Sequence, residues 1–212
     1  MSWRNLADAY GTVAKTLHWT VALLILGSYC SVYYRHWFTE PKTDPNWAAL
    51  QLHLSFGITI AVVVALRVLY RLWDVQPREV PAPAWQQRLA RAVHVLLYAA
   101  MIVMPITGYL GTGVGTEFFG LFVIPKFPET WLFTALVQGW LGLTFEEFEK
   151  PLDLIHHTAG AYVVWVLIAV HVAGALQHHM IRKDETLLRM LPRRMAGPRI
   201  GASRGTLAGT DS

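Results

Sequence analysis

The feature that most limits the possible folds is an apolar stretch at residues 154–175, which contains no Asp, Glu, Lys or Arg. A helix needs about 20 such residues to cross the hydrocarbon core of a bilayer. The stretch also contains His157 and His171. Ionisable residues are costly inside a membrane, so their presence there indicates a functional role. The alternative is that both are hydrogen-bonded residues between packed helices.

His157 and His171 are fourteen residues apart, which is just under four turns of a regular helix. Their side chains are then expected about 40° apart around the helix and about 21 Å apart along it. One histidine is therefore predicted near each edge of the membrane, on one face of the helix. The neighbouring His156 points about 60° to the other side, so His157 is the preferred partner of His171 in this arrangement.

Three further apolar segments of similar length precede this stretch. Hydrophobic residues make up 54% of the 212-residue chain and charged residues 15%, which is too apolar for an ordinary soluble domain. The start of the chain lacks the pattern of a cleaved signal peptide, so the first segment is expected to be retained. The sequence therefore predicts an all-α integral membrane protein, a four-helix bundle. The predicted spans are residues 16–34, 52–73, 92–112 and 155–179.

Basic residues are distributed unevenly between these spans. Fourteen of the 18 Lys and Arg residues lie in the N-terminal lead, the second connection and the C-terminal region, including the adjoining helix ends. The positive-inside rule places these segments in the cytoplasm, so both termini are predicted inside. The net charge of +4 reflects this orientation and does not indicate nucleic-acid binding. The predicted domain covers residues 1–195, and residues 196–212 are predicted to be a flexible cytoplasmic tail.

The third connection, residues 113–153, is the longest and is rich in aromatic residues. It is predicted to lie at the outer interface as one or two short amphipathic helices. The single cysteine, Cys30, lies within the first span. One cysteine allows no intramolecular disulfide and no CxxCH haem attachment, so any haem must be held non-covalently.

The histidines within the spans form two groups by predicted depth. His53 and His157 are predicted near the outer ends of spans two and four. His18 and His171 are predicted near the inner ends of spans one and four, with His94 of span three as an alternative. Two histidines at one depth on different helices suit a six-coordinate haem iron in a four-helix bundle. Zinc would need three or four converging ligands, which the outer pair lacks. The pattern therefore predicts two non-covalent haems.

Four polar residues at the inner end are candidates for binding a haem propionate or a quinone. Arg67 is fourteen residues after His53 and is expected on the same helix face. The alternative for Arg67 is contact with lipid phosphates. His94, His178 and His179 lie at the same predicted depth. The alternative for the last two is an interfacial pair without a substrate role.

Several segments of the chain resemble the bacterial cytochrome b561 family. The matching segments include HWTVALLILGSYC, QLHLSFGI, AVHVLLYAAMIVMPITGYL and FFGLFVIP. The most specific one is HVAGALQHHMIRKDETLLRMLP, which ends the fourth span. The resemblance covers about residues 8–195. It implies a protein of the inner membrane that binds two haems b and passes electrons to ubiquinone.

The motifs are most similar to those of superoxide oxidase-like members of this family. This resemblance implies that superoxide is oxidised at the outer face and ubiquinone is reduced near the inner face. Because superoxide is an anion, cations are expected to line its entry. Arg35, at the end of span one, and Lys126, in FFGLFVIPKF, are the candidates.

The long third connection departs from the family pattern and is expected to cover the outer haem, which leaves the electron donor open. A second hypothesis is a cytochrome b anchor subunit that links a hydrogenase or another periplasmic dehydrogenase to the quinone pool. A third is a haem or quinone carrier without turnover. An anchor subunit should co-purify with its catalytic partner, whereas an oxidase should be active alone.

The predicted orientation can be tested with a reporter domain fused after Arg194. Because the charge bias places the C-terminus inside, a reporter that is active only in the cytoplasm should be active there. A second reporter, active only in the periplasm and fused at the same residue, is the matched control and should be inactive. The opposite pattern of enzyme activities would show that the orientation is wrong.

Overall fold

The computed structural model describes residues 2–191 and consists mainly of four long helices. All four are long and apolar enough to cross a membrane, which confirms the predicted spans. Each helix extends beyond its predicted apolar segment because polar and aromatic residues at the ends continue the helix. The predicted flexible tail lies outside the described residues. The helices are α1 (Thr12–Phe38), α2 (Asp44–Trp73), α3 (Ala84–Gly111) and α4 (Phe145–Arg182).

Consecutive helices pack against each other, and α4 also contacts α1. Only a small apolar core is fully buried, with Val21 of α1 against Ile60 and Val64 of α2. Most other apolar side chains are exposed, as expected for helices that face lipid. We call the two ends of the bundle the hairpin end, which holds the α3–α4 connection, and the terminal end, which holds the first and last described residues.

The α3–α4 connection begins with a two-stranded antiparallel hairpin, which the sequence analysis did not predict. Strand β1 (Thr116–Phe118) pairs with β2 (Phe122–Ile124), and Gly120 in the turn has a positive φ of 71°. A short 3₁₀ turn, Phe127–Glu129, and a π-helical segment, Phe133–Trp140, follow. The predicted short helices are therefore found only in the second half of this connection.

The aromatic residues after the hairpin form a second small core. Phe127 and Phe133 are buried there and pack against Phe145 and Phe148 at the start of α4. The helix begins with a capping box formed by Thr144 and Glu147. The side chain of each residue accepts a hydrogen bond from the backbone N–H of the other. This core therefore fixes where α4 starts at the hairpin end.

At the terminal end, residues 2–11 fold back onto the end of α2. The carboxylate of Asp74 accepts hydrogen bonds from the Tyr70 hydroxyl (2.6 Å), the Asn5 backbone N–H (2.8 Å) and Arg4 Nε (3.1 Å). The hydrogen bond from Tyr70, followed by those from Asn5 and Arg4, lowers the pKa of Asp74 from 3.8 to about 2. This attachment is therefore stable while Asp74 is charged and weakens as the pH falls from about 4 toward 2.

Replacing Asp74 by Asn tests this attachment. The variant loses the charged acceptor. Weakening one such hydrogen bond is sufficient to raise the equilibrium constant for local opening about tenfold. We expect the backbone amide of Asn5 to exchange its hydrogen about tenfold faster at neutral pH, measured by mass spectrometry. Asp8→Asn, which changes an exposed carboxylate of the same segment, is the matched control. Equal exchange in the two variants would contradict the role of Asp74.

Candidate functional site

Histidines from different helices meet at both ends of the bundle. The two groups are separated along α4 by fourteen residues, or about 21 Å for a helix with a rise of 1.5 Å per residue. Within residues 2–191, no three or more His, Cys, Asp or Glu side chains converge closely enough to hold a metal ion by themselves. The hairpin-end group is His53, His156 and His157, and the terminal-end group is His18, His94 and His171.

At the terminal end, His171 lies at the centre of its group. Its ring centre is 6.2 Å from that of His18 and 5.3 Å from that of His94. The buried Nδ1 atom of His18 has no hydrogen-bond partner among the described residues. A buried polar atom without a partner is rare and indicates a missing ligand. Two imidazoles whose nitrogens each lie about 2 Å from one metal ion have ring centres about 6 Å apart. His18 and His171 therefore fit a shared haem iron.

His94 differs from these two in its exposure. Its Nδ1 atom donates a hydrogen bond to the carbonyl oxygen of Ala90, 2.7 Å away, and its side chain is exposed on α3. Arg67 lies close by, where its Nε atom donates to the Tyr98 hydroxyl at 3.1 Å and its guanidinium stacks on that ring. Arg67 is therefore held beside the histidines by a neighbouring helix, so it is not free to extend toward lipid phosphates.

At the hairpin end, the structure brings His156, and not His157, against His53. The ring centres of His53 and His156 are 6.0 Å apart. The Nδ1 atom of His53 lies 2.9 Å from the Ser28 hydroxyl, and that of His156 donates to the Met104 carbonyl oxygen at 3.0 Å. His157 is exposed and makes no hydrogen bond within the described residues. The two adjacent histidines of α4 therefore have different environments.

The reason lies in a π-helical segment, Ala159–Val163, between these histidines and His171. A π turn is wider than an α turn, with hydrogen bonds from residue i to i+5. The segment therefore rotates the residues before it relative to those after it. The shared face of His157 and His171 was predicted from an uninterrupted period of 3.6 residues, which does not apply across this segment. This explains why His156 meets His53.

The ring of His156 lies against α3 at Gly108. A Cβ atom built on Gly108 would approach His156 Cε1 to 2.8 Å, so this contact requires glycine. A cavity of about 40 Å³ lies between His53 and His156, and Thr116 of the hairpin forms part of its wall. A Cβ on Gly57 would meet nothing within 4 Å. The side of α2 that carries Gly57 is therefore open.

His178 and His179 differ in their surroundings in the structure. The Nδ1 atom of His178 lies 2.6 Å from the Asp184 carboxylate, which Arg182 and Thr186 also contact. Burial raises the pKa of Asp184, but hydrogen bonds from Thr186 and His178 outweigh this effect and keep the pKa below its ordinary value. His179 is exposed. His178 is thus the histidine with a carboxylate partner.

The two candidate cations at the hairpin end also differ. Arg35 is half-buried, and its Nε atom donates to Asn46 Oδ1 at 3.1 Å. It makes no ion pair with any residue of the described part of the chain. Lys126 instead lies 3.6 Å from the carboxylate of Glu129, three residues later. The positive charge of Lys126 is therefore partly neutralised, whereas that of Arg35 is not.

Comparison with known proteins gives consistent matches along the chain. The family model of prokaryotic cytochrome b561 matches residues 9–193. Cytochrome b561 homolog 1 of Escherichia coli K12 is 32% identical over 183 residues, which is 84% of this chain and 94% of that protein. Cytochrome b561 homolog 2 of the same organism is 32% identical over 202 residues, 90% of this chain and 95% of that protein.

A more distant relative is the probable superoxide oxidase CybB of Yersinia pestis. It is 27% identical over 186 residues, which is 87% of this chain and 97% of that protein. The family implies b-type haem, and the four apolar helices agree with a multi-pass bacterial membrane protein. The chain therefore belongs to the prokaryotic cytochrome b561 family of membrane electron-transfer proteins.

Proposed function

We propose that this protein carries single electrons across the bacterial inner membrane, from superoxide at the hairpin end to ubiquinone at the terminal end. The observation that carries the proposal is the presence of separate histidine groups at the two ends of one bundle. The excess of Lys and Arg at the terminal end supports its cytoplasmic position. The name of the Yersinia relative supports superoxide as the donor.

We assign four haem ligands, two at each end. His18 and His171 are the inner pair, which the 6.2 Å spacing of their ring centres supports. His53 and His157 are the outer pair. The spacing of fourteen residues from His171 supports His157, whereas the 6.0 Å ring spacing between His53 and His156 supports His156 as the alternative. When bound, two b haems supply one-electron carriers at the two ends.

At the hairpin end, the protein orients and encloses the outer ligands. Ser28 holds the Nδ1 side of His53, which leaves the Nε2 atom of that ring for a metal. His156 joins α4 to α3 through the Met104 carbonyl oxygen and so fixes the rotation of the helix that carries His157. The position of each outer ligand is therefore set by a neighbouring helix.

At the terminal end, the side chains suit a substrate that takes up electrons and protons. Arg67 places a positive charge beside the inner histidines, which stabilises a propionate or a reduced quinone. His94 is exposed on α3, where a lipid-soluble molecule has access to it. The hydrogen bond with the Asp184 carboxylate orients the ring of His178, which is therefore a candidate proton donor to the quinone.

The outer ligand can be identified by comparing two neighbouring substitutions. His157→Ala should remove one of the two haems and leave the absorption spectrum of the other. His156→Ala should retain both haems, because it removes a helix contact and not a ligand. Haem content is measured by the pyridine haemochrome method in the purified proteins. Loss of a haem in His156→Ala, with both retained in His157→Ala, would make His156 the ligand instead.

The proposed reaction is tested by superoxide-dependent ubiquinone reduction with the purified protein alone. In this assay Arg35→Glu should lower the rate severalfold and weaken its dependence on salt, because a cation without an ion pair attracts superoxide over about one Debye length. Lys126→Glu should have a smaller effect, since Glu129 already neutralises part of that charge. Haem content serves as the control for intact folding.

Two results would contradict this part of the proposal. An unchanged rate and salt response in Arg35→Glu would exclude steering by that residue. No superoxide reaction in the unmodified protein would favour the alternative function, an anchor subunit of a periplasmic dehydrogenase or hydrogenase. That alternative predicts a catalytic partner that co-purifies with the protein.

A further inference from the structure

We infer that the hairpin Thr116–Ile124 is a specificity element of the outer site. Gln51 and Ser55 of α2 hold it across the gap between α2 and α3. There it closes the cavity at His53 to lipid-soluble redox molecules, so that the outer site reacts only with reagents from water. The inference rests on the proposed function, because it concerns which donors reach the outer site.

Two buried side chains of α2 attach the free edge of β1. Gln51 accepts a hydrogen bond from the Glu117 N–H at 2.7 Å and donates to the Gly115 carbonyl oxygen at 3.2 Å. The Ser55 hydroxyl accepts from the Phe119 N–H at 3.0 Å. Gln51 is 5% exposed and Ser55 is fully buried. Gln51 and Ser55 lie one turn apart on α2 and so face the same edge of β1. Their side chains bond the backbone groups that a neighbouring strand would otherwise pair with.

The other side of the hairpin is attached to α3. The hydroxyl of Tyr109 donates to the carbonyl oxygen of Pro125, directly after β2, at 3.1 Å. Between these attachments, the buried Thr116 forms part of the wall of the cavity that His53 lines. Ile124, the cross-strand partner of Thr116, faces the groove between α2 and α3. The hairpin therefore bridges the two helices at the level of His53.

An apolar groove on the outside of the bundle is the route by which a lipid-soluble molecule would approach the outer site. The groove has a volume of about 340 Å³, lies between α2 and α3 and is open to the surroundings. Ile58, Pro105 and Tyr109 line both this groove and the cavity at His53. An apolar molecule in the lipid would therefore lie next to the outer site, with Ile124 of the hairpin on the wall of the groove and Thr116 on the wall of the cavity.

The tip of the hairpin is suited to remain in contact with lipid. Leu121, Phe122 and Val123 are all exposed, which is favourable only where water is excluded. The base of the hairpin is thus held by polar groups of α2 and its tip by the membrane. This arrangement favours a fixed wall that stays closed during turnover.

The terminal end has the opposite arrangement. His94 is exposed there on α3, and no strand lies beside it in residues 2–191. A lipid-soluble quinone can approach this end directly. If the reduced quinone, a quinol, could also reach the outer site, it would reduce the outer haem. Electrons transferred to the terminal end would then return to the hairpin end. Closure at the hairpin end would therefore keep the two substrates on separate sides.

The inference can be tested with the full-length protein in lipid nanodiscs. The variant carries Gln51→Leu and Ser55→Ala, which remove the attachment while keeping similar side-chain volumes. The matched control is Gln76→Leu, which changes an exposed glutamine beyond the other end of α2. Ser55→Thr keeps the hydroxyl and should behave like the unmodified protein.

Three measurements follow the hairpin and its effect. Amides of residues 115–124 should exchange hydrogen about fivefold faster for each hydrogen bond lost. A fatty acid that carries a photoreactive diazirine should label α2 near His53 severalfold more. Oxidation of the dithionite-reduced protein by an alkyl-tailed ferrocenium should become severalfold faster, while oxidation by a ferrocenium carboxylate should stay unchanged.

The inference is overturned if hairpin amides exchange no faster in the double variant, because Gln51 and Ser55 would then not hold the hairpin. It is also overturned if exchange becomes faster while lipid labelling and the rate with the alkyl-tailed reagent do not change. Failure of the proposed function is distinguishable, because none of these measurements uses superoxide. An unmodified protein that does not react with superoxide would therefore leave this inference standing.

Discussion

An imidazole inside a membrane-spanning helix needs a partner from the protein or a cofactor, because lipid offers no hydrogen bonds. Among the described residues, three of these histidines meet that requirement through protein groups and one does not. His53 and His94 use a serine and a backbone carbonyl, His156 uses the backbone of a neighbouring helix, and the Nδ1 atom of His18 has no partner within the described residues. Of these contacts, those of His53 and His156 join different helices.

Much of the fold was predictable because lipid permits few structures. An apolar segment of sufficient length must form a helix, so the four spans follow from composition alone. The hairpin was not predictable from its own residues. Its strands have three residues each, too few for an alternating pattern, and their outer edge is bonded by Gln51 and Ser55, more than sixty positions earlier. Contacts of such separation leave no local signal in a sequence.

The candidate site was predictable in depth but not in rotation. Spacing along α4 indicated histidines near both ends, and such groups are present. The side on which each histidine lies depends on the π-helical segment Ala159–Val163, for which the residue pattern offered no warning. Likewise, the difference between His178 and His179 depends on Asp184, which a left-handed residue at position 183 brings back toward the helix.

The separation of the two histidine groups also makes the protein sensitive to the membrane potential. About 21 Å along α4 is roughly two thirds of the 30 Å hydrocarbon core. Full transfer of one charge against 100 mV requires about 2.3 kcal/mol, so this distance corresponds to about 1.5 kcal/mol. In the proposed direction of transfer, from the hairpin end to a cytoplasmic terminal end, an electron works against a potential that is negative inside. Electron flow through this bundle should therefore slow in a well-energised cell and speed up when the membrane is depolarised.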